Sequence, residues 1–357
     1  MEAPKSDIIE IVKDAVTELG LASLEVDSEE GKGLIAYPED HKNAELLLCS
    51  AHLDIVPPGD ETKWNFSPWI GDIHDNKIRG RGSVDMKGGA AAFLEAFRQV
   101  QQKTKTAPPV LFAFSTDEEV SMKSTEALAK KLINFNLKNC LISEPTLLKV
   151  GIMEKGVLWY KIIAQGKSAH GSTPEYGRNA IFELLPFLHL VATSKWKEGI
   201  EKDEELLKLL TGNLGEIKGG TAPNVVPDRV ETSFDIRYPP SIHPNSIEVK
   251  MQKLCNENKL ELVKIQELPG VETASDHTFV QLVSSVLKKM HKKVEKTYVS
   301  YATDAAIYST SCSSLNLTAV ICGPGDPQMA HQTNEVLPVQ EFFDAIELYA
   351  KIFESIF

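Results

Sequence analysis

The chain has 357 residues, 42% hydrophobic and 25% charged, the balance of an ordinary folded protein rather than a disordered or low-complexity one, and long enough for two domains. Lys and Arg number 38 against 50 Asp and Glu, a formal charge of −12. That argues against general affinity for nucleic acid or anionic membrane, since both are held by basic side chains. No run of about 18 apolar residues is present to span a bilayer. The N-terminus, MEAPKSDIIEIVKDAV, has acids and the spacing of an amphipathic helix, not the basic start and apolar core of a signal peptide. A cytoplasmic location is expected.

In chain order, AELLLCSAHLDIV (44–56) is a continuous apolar run that ends in polar residues, the pattern of a buried central strand. GGAAAFLEAFRQVQQ (88–102) reads as a buried helix, PPVLFAFSTDEE (108–119) as a second buried strand, STEALAKKLI (124–133) as a helix and KNCLISEP (138–145) as a third strand. This alternation implies parallel pairing in an α/β sheet. KGVLWYKIIAQGKS (155–168) then reads as a half-exposed strand and RNAIFELLPFLHLVATS (178–194) as a helix kinked near Pro186. NLGEIKGG (213–220) and RVETSFDIRYPP (229–240) follow as two strands, SIEVKMQKLCNENK (246–259) as a helix and LELVKIQEL (260–268) as a strand. That order is the split βαβ arrangement of a ferredoxin-like domain. The first pattern resumes with a helix at 276–293, a short strand TYVSY, a helix start at TDAAIYSTS, a buried strand LTAVICGPG (317–325) and a closing helix at 339–357. The expected fold is therefore α/β: a main domain of 1–156 and 270–357 around a central mixed, mainly parallel sheet, with an inserted ferredoxin-like lid or dimerisation domain at 157–269.

Ligands of open α/β sheets bind beyond the carboxyl ends of the strands. There the sequence places His52 and Asp54, then Asp117, Glu118 and Glu119, then Glu144, and finally the run GPGDPQMAHQTNE with His331; Asp85 lies in the glycine-rich RGRGSVDMKGG. Each has an ordinary alternative: Asp85 as a helix cap, the 117–119 run as a solvated loop, Glu144 as a turn residue. Their coincidence at one predicted sheet edge favours a metal site. A ligand set of imidazoles and carboxylates suits zinc, cobalt or manganese. The five cysteines are scattered without CxxC spacing, mostly in apolar runs, and read as core residues rather than a disulfide framework or thiolate zinc site. Asp54, two residues after His52 on an extended chain, can lie behind it and fix its tautomer.

The motifs SAHLDIVPPGD (50–60), GRGSVDMKGG (80–89), STDEE (115–119), SEPT (143–146), GKSAHGSTPEYGRNA (166–180), NVVPD (224–228), DIRYPP (235–240) and GPG…AHQTNE (323–335) resemble those of the metal-dependent aminoacylase/carboxypeptidase family, which includes succinyl-diaminopimelate desuccinylase, acetylornithine deacetylase and related dipeptidases. The resemblance covers essentially the whole chain, apart from a shortened early element that often carries PS-type residues in relatives. It implies two divalent ions, with zinc expected and cobalt or manganese as alternatives. His52 and Glu144 would hold one ion and Glu119 and His331 the other, with Asp85 as the bridge. It also implies Glu118 as general base to a metal-activated water, Asp54 as partner of His52, and His170 as a lid residue reaching the active site, often from a partner subunit. Arg237 would contact a substrate carboxylate, although an ion pair with Asp235 or Asp228 is nearly as good a reading. Asn224 would contact the substrate or the oxyanion region, Gly323 and Gly325 would present backbone N–H groups to the same carboxylate, and Thr303 and Asp304 fall where relatives have substrate-pocket residues.

The function expected is removal of an acyl group from an N-acyl amino acid, of desuccinylase or deacetylase type. A dipeptidase or carboxypeptidase of the same chemistry is the near rival. A non-catalytic binding module is disfavoured by intact Glu118, and a two-metal nuclease by the acidic charge. The partners expected are a small N-acyl amino acid or dipeptide and a second copy of the chain, joined through an exposed sheet edge of the lid, with neither nucleic acid nor membrane.

Overall fold

The structure, a computed structural model, describes residues 5–357. The first four residues of the expected N-terminal helix lie outside them, and the helix runs Lys5–Glu18. The chain divides into two compact units: one of residues up to Met153 with 271–299 and 303–357, the other of 154–270 with 300–302. Among the described residues no helix is long and apolar enough to cross a membrane.

The first unit is built on a nine-stranded mixed sheet. Its centre is parallel: Val110–Ser115, Glu45–His52, Asn136–Pro145 and Thr318–Gly323 lie side by side in that order. These strands are buried almost throughout, which is why each reads as an unbroken apolar run instead of an alternating one. The flanks are antiparallel. A hairpin of Ala22–Asp27 and Lys32–Tyr37, too short and mixed to stand out in the sequence, joins one side through Lys32–Tyr37. Val150–Glu154 pairs antiparallel with Thr318–Gly323 on the other. The α/β fold with a mixed central sheet is as the sequence led us to expect.

Local chemistry explains how the polar ends are shaped. The first strand stops at His52, four residues short of the apolar run, because Pro57 and Pro58 follow and cannot donate to a ladder. Beyond Val110–Ser115, Asp117 folds the chain back. Its carboxylate accepts from the backbone N–H of Lys123 (2.9 Å) and Ser124 (3.0 Å) and from the Ser121 hydroxyl (2.7 Å), capping the helix Lys123–Leu132 from outside. Glu118 and Glu119 are left on the crest of that turn. Helix Lys87–Thr104 packs on Asn136–Pro145 at Gly89, where any Cβ would meet Ser143 O at 2.5 Å. The missing side chain lets the Asp85 turn approach the strand that carries Glu144. A small sheet of Val336–Pro338, Lys77–Arg79 and Asp72–His74 ties the segment before Asp85 to the segment after His331.

The second unit holds a four-stranded antiparallel sheet. In it Gly156–Gln165 pairs with both Arg229–Tyr238 and Glu261–Leu268, and Thr211–Gly219 forms the edge. With helices Ala180–Ala192 and Pro244–Glu257 between the strands, this is the ferredoxin-like order. Gly156–Gln165 is more buried than its sequence suggests, because it is a central strand. Pro186 lies inside its helix.

Candidate metal centre

The four parallel strands all deliver polar residues to one edge of the first unit. His52 Nε2 lies 3.0 Å from Asp85 Oδ1 and 3.4 Å from Glu144 Oε1. His331 Nε2 lies 3.3 Å from Asp85 Oδ2 and 3.0 Å from Glu119 Oε1. The two Asp85 oxygens thus face two different groups, His52–Asp85–Glu144 and Asp85–Glu119–His331, and within each the ligand atoms lie within 4.8 Å of one another. His52 is 1% exposed and His331 52%, so one group is sealed and the other open to solvent. His331 has φ +63°, a left-handed conformation that non-glycine residues adopt rarely and that clusters at functional sites.

The electrostatics describe what this donor set demands. Burial opposes protonation of His52, yet Asp54, Asp85 and Glu144 together hold its imidazole well above the ordinary value. Asp85 and Glu119 raise His331 to about 10. Burial, and then the neighbouring Asp85, push the Glu144 carboxyl up. Carboxylates drawn together in a dry site thus pull positive charge onto whatever can carry it. Two imidazoles and three carboxylates, with every cysteine a free buried thiol, fit a divalent cation of the zinc, cobalt or manganese kind.

Asp54 has two tasks. Its Oδ1 is 3.5 Å from His52 Nδ1, and its two oxygens accept the backbone N–H groups of Glu118 and Glu119 at 3.1 Å each. The Asp54 carbonyl O lies closer still to His52 Nδ1, at 3.2 Å, so Asp54 orients the imidazole with its main chain and carboxylate together and the glutamate turn of the next strand with its carboxylate. Glu119 is paired with His331, whereas the Glu118 carboxylate makes no hydrogen bond or ion pair among the described residues. Burial foremost, with Glu144 and Glu119 adding, pushes the Glu118 carboxyl well above the usual range.

Two buried acids anchor the site: Glu335, which the sequence reading does not single out, and Asp304, which it places beside Thr303 in the substrate pocket. Glu335, wholly buried, accepts from Arg81 Nη1 (2.6 Å) and from the N–H of Val84 (2.8 Å) and Asp85 (3.3 Å), pinning the turn that carries Asp85. Its signal was only its place at the end of AHQTNE. Asp304 accepts from Thr125 Oγ1 (2.7 Å), Ser50 Oγ (2.8 Å) and Ser115 Oγ (3.3 Å), joining both strands beneath His52 and the glutamate turn to a helix. Asp304→Ala strands the buried hydroxyls of Thr125 and Ser115 and takes one partner from Ser50, which keeps Tyr308 Oη at 2.8 Å. We expect a loss of about 2–4 kcal/mol, read by urea unfolding, with Asp304→Asn losing clearly less; equal losses in the two variants would refute this anchoring role.

The other residues singled out lie as follows. Thr303 is fully buried and caps the helix Asp304–Ser311 by accepting from Ala305 N–H at 3.1 Å. Gly323 N–H donates to Thr146 Oγ1 (3.3 Å) and Gly325 N–H to Glu341 Oε2 (2.9 Å), so both amides are engaged within the fold. In the second unit, the loops of His170 and Asn224 lie together: Gly171 N–H donates to Asn224 O at 2.7 Å, and the exposed His170 ring bonds Ser172 Oγ at 2.7 Å. Arg237 donates through Nε to Asp235 at 2.8 Å, the ion pair that is the sequence's alternative to substrate contact.

Comparison with known proteins gives this arrangement a family. The model of Peptidase family M20/M25/M40 matches residues 48–355. The chain belongs to the M20 family. It is 31% identical to acetylornithine deacetylase of Vibrio cholerae over 312 residues, 84% of this chain and 78% of that protein. It is also 31% identical to the Pectobacterium carotovorum acetylornithine deacetylase over 316 residues, 86% and 79% of the two. An M20 family metallo-carboxypeptidase from Sulfolobus solfataricus shares the fold with TM-score 0.81 at 18% identity, over 97% of this chain and 92% of that one. A Staphylococcus aureus tripeptidase does so with TM-score 0.78 at 22%, over 98% and 92%. This M20 protein is a metal-dependent hydrolase of mixed α/β fold.

Proposed function

We propose that this M20 hydrolase is a deacylase that releases a small acyl group from an N-acyl amino acid, with acetyl favoured over succinyl. The observation that carries the chemistry is the pair of ligand groups sharing Asp85 beside an unpaired Glu118. The choice of substrate class rests on the 31% identity to acetylornithine deacetylases; the peptidase structures, all below 25% identity, speak for the fold alone.

In this reading His52, Asp85 and Glu144 would hold one divalent ion, and Asp85, Glu119 and His331 a second, zinc being the first choice. Bound there, the ions would supply Lewis acidity to a water and to the scissile carbonyl. Glu118 takes the proton from the attacking water as the new C–O bond forms, and gives it to the departing amine as the C–N bond breaks. Asp54 keeps His52 and the glutamate turn in register throughout. His170 serves the developing oxyanion and Arg237 the substrate carboxylate.

The test is release of free amine from N-acetyl and N-succinyl amino acids and dipeptides, using chelator-stripped protein with zinc, cobalt or manganese restored. Metal-restored turnover of the N-acetyl set supports the proposal. Preference for dipeptides replaces the deacylase reading with a peptidase one. In the same assay His170→Ala is expected to lower kcat at unchanged metal content; loss of metal would remove His170 from that role.

We also propose a homodimer through the second unit. Thr211–Gly219 is an exposed edge strand, and Phe182 (67% exposed) and Leu185 (49%) stand on the outer face of the helix Ala180–Ala192. Light scattering should give twice the chain mass, and Phe182→Asp should shift it towards the monomer. A monomeric wild-type mass overturns the assembly.

A further inference from the structure

Beside the metal centre, within the first unit, lies an open cavity of about 810 Å³ that shares Asp54 and Glu119 with it. Ile55, Val56, Trp69, Val120 and Phe342 make much of its wall, and Trp69 and Val120 remain 42% and 61% exposed. This is the size and character of a small-molecule site, which needs a few polar groups to set orientation.

The charged side chains that line it are Asp54, Arg79, Arg81, Lys87 and Glu119. Four have a partner within the fold. Arg79 holds Asp72 through Nε (2.8 Å) and Nη2 (2.6 Å), Arg81 holds Glu335, Asp54 holds two backbone amides, and Glu119 holds His331. The Lys87 ammonium alone makes no hydrogen bond or ion pair among the described residues. It lies over Gly82, where any Cβ would collide with Lys87 Nζ and Ile55, and Gly82 has φ +82°, which suits glycine. Lys87 is also the first residue of its helix, with no acid in the first turn and no side-chain cap. The helix dipole and the ammonium therefore add positive to positive. Glu335, Asp54 and Asp85 face it from neighbouring segments, but none of those carboxylates bonds to it. A half-buried cation without a direct partner is best met by an anion.

We propose that this cavity binds a carboxylate carried on an apolar body, with Lys87 Nζ taking the carboxylate and the Ile55–Val56–Trp69–Phe342 wall taking the body. The site needs only the cavity and Lys87, so it stands apart from the substrate assigned to the metal centre.

The probe is octanoate, titrated into metal-loaded full-length protein and followed by tryptophan fluorescence, with Trp69→Phe identifying the reporting residue. Octanoate should bind, 1-octanol should bind more weakly, and acetate should give no signal that depends on Lys87. Lys87→Met should weaken octanoate about 10-fold or more, the scale of losing a charged hydrogen bond, and leave 1-octanol unchanged. Lys87→Arg, which keeps the charge, should retain the preference for octanoate and guards against misfolding of the Met variant. Octanoate affinity unaltered in Lys87→Met would place the carboxylate on the metals and overturn the proposal. So would equal affinity for octanoate and 1-octanol, or no octanoate binding at all.

Discussion

Replacing Glu118 by Gln should leave the protein folded and loaded with metal but lower kcat by about 10²–10⁴-fold, the usual worth of a placed general base. The expectation comes from the contrast between two adjacent glutamates. Both hang from Asp54 by their backbone amides at 3.1 Å, so a shared anchor fixes their main chain. Glu119 turns to His331 and joins a ligand group. The Glu118 carboxylate, without a partner, lies beside Glu144 and Glu119; burial first, and then those two neighbours, hold its proton affinity high. Such a group is poorly made for holding the fold together and well made for accepting a proton from water. Gln keeps the shape and removes that capacity. The check is kcat with the substrate identified by the amine-release panel, beside metal content by mass spectrometry and near-ultraviolet circular dichroism. If kcat stays within about threefold of wild type at full metal content, the base is another residue.

Asp85→Asn should damage both ligand groups together. The Asp85 oxygens divide between His52 Nε2 and His331 Nε2 at 3.0 and 3.3 Å, and no other residue belongs to both groups. Losing an outer partner of a metal ligand commonly costs about 10–100-fold in affinity; loss of a directly facing, shared carboxylate should exceed that for each ion. His331→Ala provides the control, since it removes one member of the open group and leaves His52, Asp85 and Glu144 in place. Calorimetric titration of stripped protein should therefore show residual binding in His331→Ala that is absent or much weaker in Asp85→Asn. Wild-type stoichiometry and affinity in Asp85→Asn would dismantle the shared-ligand arrangement.

How much was legible beforehand depended on the range of the cause. The buried parallel strands and the helices between them stood out because apolar run length and periodicity are local properties. The polar residues at the strand ends stood out because the runs stop there. The hairpin Ala22–Asp27/Lys32–Tyr37 and the three-stranded sheet around Lys77–Arg79 did not, because strands of three to six residues gain their definition from neighbours rather than from their own pattern.

The sequence by itself determined an acidic α/β protein with an inserted ferredoxin-like segment and a concentration of imidazole and carboxylate at one sheet edge. Only the tertiary structure decided which oxygen of Asp85 faces which histidine, that Glu119 is paired while Glu118 is not, and that Glu335 and Asp304 brace the site from beneath. Arg81 and Glu335 are 254 residues apart in the chain, as are Ser50 and Asp304. No local preference links such pairs; they meet because the packed sheet brings their backbones together, and a buried carboxylate must then find the donors that packing supplies.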